Sequence, residues 1–254
     1  MHAVKKITID VHFTPLQSDE LNLKDKNVVV IDVLRACTTA ITALHNGAKE
    51  IIPVNTIESV LKISSSLFGD VTLRAGERNG KIIEGFNLGN SPREYTEEIV
   101  KGKSIIFMTT NGTSAIVKGR YAKNLLLAGF VNLSKAVEFL HHLQSDFVVI
   151  CAGQDGRFCI EDAVCAGRLI TMFQDKFDGT VIMDDAGAAA IELSKGAGKG
   201  ILKMLKNSEH GKYLSEIGFA DDLKVCSGID TIPVLPVLSG NVVRALKEQL
   251  KRSA

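Results

Sequence analysis

The chain has 254 residues, 45% hydrophobic and 23% charged, enough for a substantial core without disulfide or metal staples. Thirty basic and 29 acidic residues leave a formal net charge of +1, which excludes a global pull toward nucleic acid or an anionic membrane, and the lack of tryptophan argues against a base-stacking surface. No apolar run approaches membrane-spanning length, and the start, Met1–Asp10, has no signal-peptide core; the five cysteines, odd in number and without a CxxC pair, read as reduced thiols of a cytoplasmic protein.

Apolar runs of strand length recur along the chain: Ile7–Val11, Val28–Val33, Glu50–Val54, Val71–Ala75, Ser104–Thr109, Leu125–Ala128, Phe147–Cys151 and Thr180–Met183. Several are apolar at consecutive positions, the pattern of strands buried on both faces in a parallel sheet. Helical spacing fills the gaps, over Thr38–Asn46, Ile57–Leu67, Gly112–Lys118, Leu133–Leu143 and Glu161–Phe173. Asn46-Gly47 and Lys118-Gly119 are helix stops. The Ala- and Gly-rich stretch Asp185–Gly200 predicts closely packed helices. Pro233-Val-Leu-Pro-Val-Leu238 predicts an edge strand, because proline is a poor guest in a central one. Val242–Lys251 predicts a closing helix. Strand alternating with helix means an α/β fold, a layered α/β/α architecture with largely parallel or mixed sheets. Gly129–Asn132 is the best internal boundary, giving subdomains 1–129 and 130–254 within one functional unit.

The chemistry gathers in polar turns after apolar strands. They are Asp32-Val-Leu-Arg-Ala-Cys-Thr-Thr39, Thr109-Thr-Asn-Gly-Thr-Ser114, and Cys151-Ala-Gly-Gln-Asp-Gly-Arg157 leading to Glu161-Asp162. A fourth, Gly76 to Pro92, is a long glycine-rich loop carrying Glu77, Arg78, Glu84, Asn90 and Ser91. Ligands of open α/β sheets bind at the carboxyl ends of strands. Helix N-termini there offer unpaired N–H groups, the threonines hydroxyls, and Arg35, Arg78 and Arg157 planar cationic forks, which together suit a small multiply charged anion. Each threonine alone also reads as a helix cap, and each arginine as a surface ion-pair partner. Asp32 follows directly on an apolar strand, so its carboxylate needs a cation or dense hydrogen bonding. With Glu77, Glu161 and Asp162 it forms a candidate Mg²⁺ set, although Glu161-Asp162 also reads as a first-turn pair complementing a helix dipole. The six histidines lack zinc-ligand spacing.

Familiar nucleotide motifs fail: in Gly196-Ala-Gly-Lys-Gly200 the lysine is followed by glycine, and Leu193 stands at the required upstream glycine. Cys151 and Arg157 have the spacing of a cysteine-phosphatase loop, but Ile150 and Phe158 stand where that loop carries His and Ser or Thr, so a buried structural thiol is the default.

Asp32-Val-Leu-Arg-Ala, Gly76-Glu-Arg, Glu84-Gly-Phe-Asn-Leu-Gly-Asn-Ser-Pro92, Thr109-Thr-Asn-Gly-Thr113 and Cys151-Ala-Gly with Glu161-Asp162 resemble, in that order, the 2-phosphosulfolactate phosphatase family. The likeness runs from about Asp32 to Gly167 and weakens beyond. It implies a Mg²⁺-dependent hydrolase cleaving 2-phospho-3-sulfolactate to 3-sulfolactate and phosphate, a step that precedes coenzyme M. It also implies a two-part α/β fold distinct from haloacid-dehalogenase phosphatases, whose second motif aspartate is here Leu34. On this reading Asp32, Arg35, Glu77 and Arg78 are catalytic. Thr38, Thr39, Asn90, Ser91, Thr110, Asn111, Gly112, Thr113 and Arg157 bind substrate, and Asp32, Glu77, Glu161 and Asp162 hold the metal. Cys37 stands where the family turn is expected to carry Thr or Ser. The expected partner is a small phosphorylated sulfonate or carboxylate; a homodimer is the expected assembly. The rival from another class is a non-catalytic small-anion binder, which would have no use for acids facing its ligand.

Overall fold

The computed structural model describes residues 4–66 and 71–246. The chain runs β1 (Lys6–His12), β2 (Asn27–Ile31), α1 (Ala36–His45), β3 (Glu50–Pro53), α2 (Ile57–Ser66), β4 (Thr72–Arg78) and β5 (Lys81–Ile82). It continues through α3 (Glu97–Val100), β6 (Ser104–Met108), α4 (Gly112–Lys118), β7 (Asn124–Ala128), α5 (Leu133–Leu143), β8 (Phe147–Cys151), α6 (Ile160–Gln174) and β9 (Thr180–Met183). Four helices follow, α7 (Asp185–Ala197), α8 (Ile201–Asn207), α9 (Glu209–Glu216) and α10 (Asp222–Cys226), and then β10 (Pro236–Ser239) and β11 (Val242–Ala245). The predicted α/β layering holds, and the elements fall close to their expected ranges; Leu67, the predicted end of α2, lies outside the described residues.

β2, β6 and β8 are buried at every position, as their uninterrupted apolar runs require. Because successive strand residues face opposite ways, Val29 and Ile31 join a core under α5 to α10, while Val28 and Val30 join a second core under α1 and α4. Close packing of the alanine-rich segment is also present. A Cβ on Gly167 of α6 would lie 1.9 Å from the Ala190 carbonyl oxygen of α7. Gly167→Ala is therefore expected to cost about 1–3 kcal/mol. Thermal unfolding should show a fall of several degrees, and an unchanged midpoint would refute the close approach.

The end of the chain departs from expectation. The sheet order is β5-β4-β6-β3-β11-β10-β7-β2-β8-β1-β9, so the predicted edge strand is β10, at the centre. Proline is tolerated because Pro236 is its first residue and only Val237 and Leu238 pair with β7. The predicted closing helix begins instead as strand β11 over Val242–Ala245, paired antiparallel with β10 across a Gly240-Asn241 turn in which Gly240 has φ +61°. The rest of that predicted helix, 247–251, lies outside the described residues.

This hairpin joins two parallel blocks, β7-β2-β8-β1-β9 and β4-β6-β3. The three junctions around it are antiparallel, so the blocks run in opposite senses along the sheet. Five steps separate β6 from β2. A twist of roughly 20–25° per step rotates them by about 100–125°, leaving about 55–80° between strands that would be opposed in a flat sheet. The carboxyl ends of both blocks can then meet.

Candidate active site

They meet in a cavity of about 240 Å³. β2 delivers Asp32, β4 delivers Glu77, β6 leads into Thr109, Thr110 and Asn111, and β8 leads into Gln154 and Asp155. Asn90, from the far end of the long glycine-rich loop, and His210 and Tyr213, from α9, complete the wall with Leu34, Arg35, Asn79 and Gly80.

Asp32 is 5% exposed, and its Oδ1 accepts the Ala36 N–H at 2.9 Å. Burial, with the negative charges of Glu77 and Glu161 adding to it, pushes the Asp32 carboxyl up to about 7, against the Ala36 N–H bond and Arg35. Gly112 is there for space: a Cβ would stand 2.5 Å from Asp32 Oδ2 and 2.4 Å from Ala36 Cβ. Glu77 braces two loops, accepting Gly80 N–H on Oε2 at 2.7 Å and Thr110 N–H on Oε1 at 2.8 Å.

Asp162 faces the backbone. Its oxygens accept Val33 N–H at 2.9 Å and Gly153 N–H at 3.0 Å, fastening the β2 turn to the β8 turn. Burial, then Asp32 and Glu161, push its carboxyl well above the usual range. Glu161, likewise raised by burial, lines an adjoining cavity with Arg157, Glu209 and His210. Among the described residues no group of three or more His, Cys, Asp and Glu side chains is placed to hold a metal ion. Asp32 and Glu77 are the two predicted metal acids that line the main cavity. Such a pair still fits Mg²⁺, which is held by one or two carboxylates plus substrate oxygens and water.

Arg35 is deeply buried. Its Nη1 donates to Asp222 Oδ2 at 2.7 Å, its Nη2 to Gly80 O at 2.8 Å, and the guanidinium lies 4.2 Å over the Phe219 ring. Ser91 Oγ donates to the other Asp222 oxygen at 2.7 Å. Thr39 Oγ1 donates to Asn90 O at 2.8 Å and Thr38 Oγ1 to Val33 O at 2.9 Å, so both hydroxyls hold the wall. Thr113 caps its own helix start through Thr109. Asn111 Oδ1 accepts the Asp155 N–H at 3.0 Å. Arg78 is exposed and absent from the cavity lining; Arg157 sits on the rim, 3.4 Å from Glu209.

Three buried side-chain atoms lack a hydrogen-bond partner among the described residues, and two of them, Asn90 Oδ1 and His210 Nδ1, belong to this cavity's wall. An unpaired buried polar atom costs about 1–3 kcal/mol. Sequence reasoning missed His210, Tyr213, Asn79, Gln154 and Asp222. The two from α9 and Asp222 lie outside every strand-end turn, and no local pattern distinguishes them.

Cys151 is fully buried within the first core, and burial beside Asp162 raises its thiol well above the ordinary value. A neutral, enclosed thiol is no nucleophile. Cys151→Ser is expected to keep activity within a few-fold; activity insensitive to EDTA and destroyed by iodoacetamide would overturn this.

The sequence model of the family described as 2-phosphosulpholactate phosphatase matches residues 12–241. A "Probable 2-phosphosulfolactate phosphatase" of Caldanaerobacter subterraneus is 39% identical over 230 residues, covering 91% of this chain and 95% of its own. One from Thermotoga maritima is 39% identical over 240 residues, covering 94% and 99%, and one from Clostridium acetobutylicum is 36% identical over 228 residues, covering 90% and 96%. No helix among the described residues is long and apolar enough to cross a membrane. The match spans the strand-end turns that build the cavity and the segment that supplies His210 and Asp222: the chain belongs to the 2-phosphosulfolactate phosphatase family, and is a phosphoric monoester hydrolase.

Proposed function

We propose that the chain hydrolyses 2-phospho-3-sulfolactate to 3-sulfolactate and phosphate, with Mg²⁺ held by Asp32 and Glu77, in the context of coenzyme M formation. The observation that carries the metal is a charge imbalance. The cavity wall holds three carboxylates, Asp32, Glu77 and Asp155, against one guanidinium, Arg35, which Asp222 already neutralises. A phospho-sulfo acid brings about four negative charges. It cannot enter such a cavity without a cation.

The cavity is smaller than the roughly 300–1,000 Å³ of drug-sized sites and suits a compact metabolite. When bound, Mg²⁺ neutralises phosphoryl charge and makes coordinated water more acidic. The chain's residues do the positioning. Asp32 sits where the β2 turn and the start of α4 converge, and Gly112 keeps the space beside its Oδ2 clear. Asn90 brings an unbonded amide oxygen, held in place by the Thr39 hydroxyl on its carbonyl. Arg35 keeps N–H groups beyond its two bonds and, clamped in one orientation, presents a fixed positive field to the phosphoryl oxygens. The test is phosphate release from 2-phospho-3-sulfolactate and from phosphorylated hydroxy acids lacking the sulfonate, with Mg²⁺ or EDTA. Metal-dependent turnover favouring the sulfonate is expected. Turnover indifferent to EDTA removes the metal, and a preference for the unsulfonated acids removes the substrate.

A further inference from the structure

β4 and β5 form a hairpin closed by Asn79 and Gly80, with Arg78 opposite Lys81. Both turn residues have left-handed backbone, φ +53° and +71°, the combination that suits a tight hairpin and favours Asn-Gly. The peptide between them is trans and planar, so its C=O and N–H point in opposite directions and cannot turn separately. Its N–H donates to Glu77 Oε2 at 2.7 Å, and its C=O accepts the Tyr213 hydroxyl at 2.9 Å. One rigid group thus joins the phenol of α9 to the carboxylate of β4. The next carbonyl, Gly80 O, takes Arg35 Nη2 at 2.8 Å.

The far side of this link is anchored. Ser208 caps α9 through the Gly211 N–H at 3.0 Å, and a Cβ on Gly211 would meet the Leu205 carbonyl oxygen at 1.8 Å, so the helix start is packed against α8. Gly80 sits close beneath α9: a Cβ on it would lie 2.6 Å from Ile217 Cδ1 and 3.3 Å from Tyr213 Cε1. We infer that Tyr213 is a positioning residue, whose hydroxyl, acting through the Asn79–Gly80 peptide, fixes the direction in which Glu77 presents its carboxylate to Mg²⁺. The inference rests on the reading above in which Glu77 holds the metal. Hydrogen bonds in series reinforce one another: accepting the Tyr213 O–H polarises the peptide and makes its N–H a better donor to Glu77. Without the hydroxyl the peptide is free to tilt, and the Thr110 N–H on Oε1 is the bond that still holds the carboxylate firmly. Because Tyr213 also lines the cavity, a direct contact with substrate is the rival role.

Tyr213→Phe keeps the ring and removes the hydroxyl. Stripped of metal with EDTA, desalted and titrated calorimetrically with Mg²⁺ in the absence of substrate, the variant is expected to bind the ion about three- to tenfold more weakly than wild type, the worth of one hydrogen bond. Its phosphate release from 2-phospho-3-sulfolactate should fall at limiting Mg²⁺ and recover as Mg²⁺ is raised. Hydrogen exchange at the Gly80 amide of the metal-free protein, followed by NMR, should quicken by a similar factor. Equal Mg²⁺ affinity in the two proteins, with or without a lower melting midpoint, overturns the inference while leaving the phosphatase reading standing. So does a raised KM for substrate that saturating Mg²⁺ does not relieve, or a Gly80 amide that exchanges at the wild-type rate. A wild-type chain that binds no Mg²⁺ and releases phosphate equally well in EDTA overturns the inference together with the metal reading beneath it.

Discussion

Asp32→Asn is expected to abolish turnover, by about a thousandfold or more, and at the same time to make the metal-free protein more stable. The two effects have one cause. The carboxylate is buried, takes one N–H bond from Ala36, and shares its surroundings with Glu77 and Glu161. Its folded value of about 7 lies above the ordinary 3.8 of an aspartate. The sign follows from linkage: the folded state holds the proton more tightly, so this group's contribution is full below about 4 and is lost as pH rises toward 7. That displacement corresponds to about 4 kcal/mol as an upper bound. Asparagine keeps the acceptor for Ala36 and removes the charge. In EDTA at pH 8 its melting midpoint should exceed wild type by several degrees, whereas added Mg²⁺ should stabilise wild type and not the variant. Wild-type-like phosphate release would remove Asp32 from the mechanism; a lower midpoint in EDTA would show that its charge is already compensated.

Asp222→Ala should have the largest effect on stability. Asp222 and Arg35 are 0% and 1% exposed at their side chains and 2.7 Å apart. Removing the aspartate strands a buried guanidinium and frees Ser91 Oγ, at a cost of about 3–5 kcal/mol. For a chain this long the midpoint should fall by about 10 °C or more. Activity should fall with it even where the protein stays folded, because Arg35 and Asn90 line the cavity and Asp222 holds Arg35 directly and Asn90 through its neighbour Ser91. Asp222→Asn retains an acceptor for Arg35 and should lie between the two. An unchanged midpoint in the alanine variant would show that Arg35 finds another partner.

Most of the strands and part of the cavity could be read from the sequence because both are local. Runs such as Val28–Ile31 and Phe147–Cys151 state that both faces are buried without naming what covers them, and polar residues directly after such runs must stand at a sheet's end. Asp32, Glu77, Asn90, Thr110 and Asn111 were found that way, and the structure brings them to one cavity. The division of neighbouring residues was not legible. Glu77 faces in and Arg78 out because consecutive strand residues point to opposite faces, and nothing local says which face meets the ligand. Nor does the sequence show that Thr38, Thr39 and Ser91 have hydroxyls engaged by the wall itself. The end of the chain held a readable turn, Ser239-Gly240-Asn241 between apolar runs, yet its helical spacing also suited Val242 onward; pairing with β7 and β3 decided for strand. Asp222 lies 187 residues from Arg35 in the chain, and His210 reaches the cavity from a helix outside the strand-end turns. Periodicity and turn chemistry determine what each segment buries and where it ends. Which distant segments supply the partners is decided only by packing the two blocks, their bridging hairpin and helices α8 to α10 into one body.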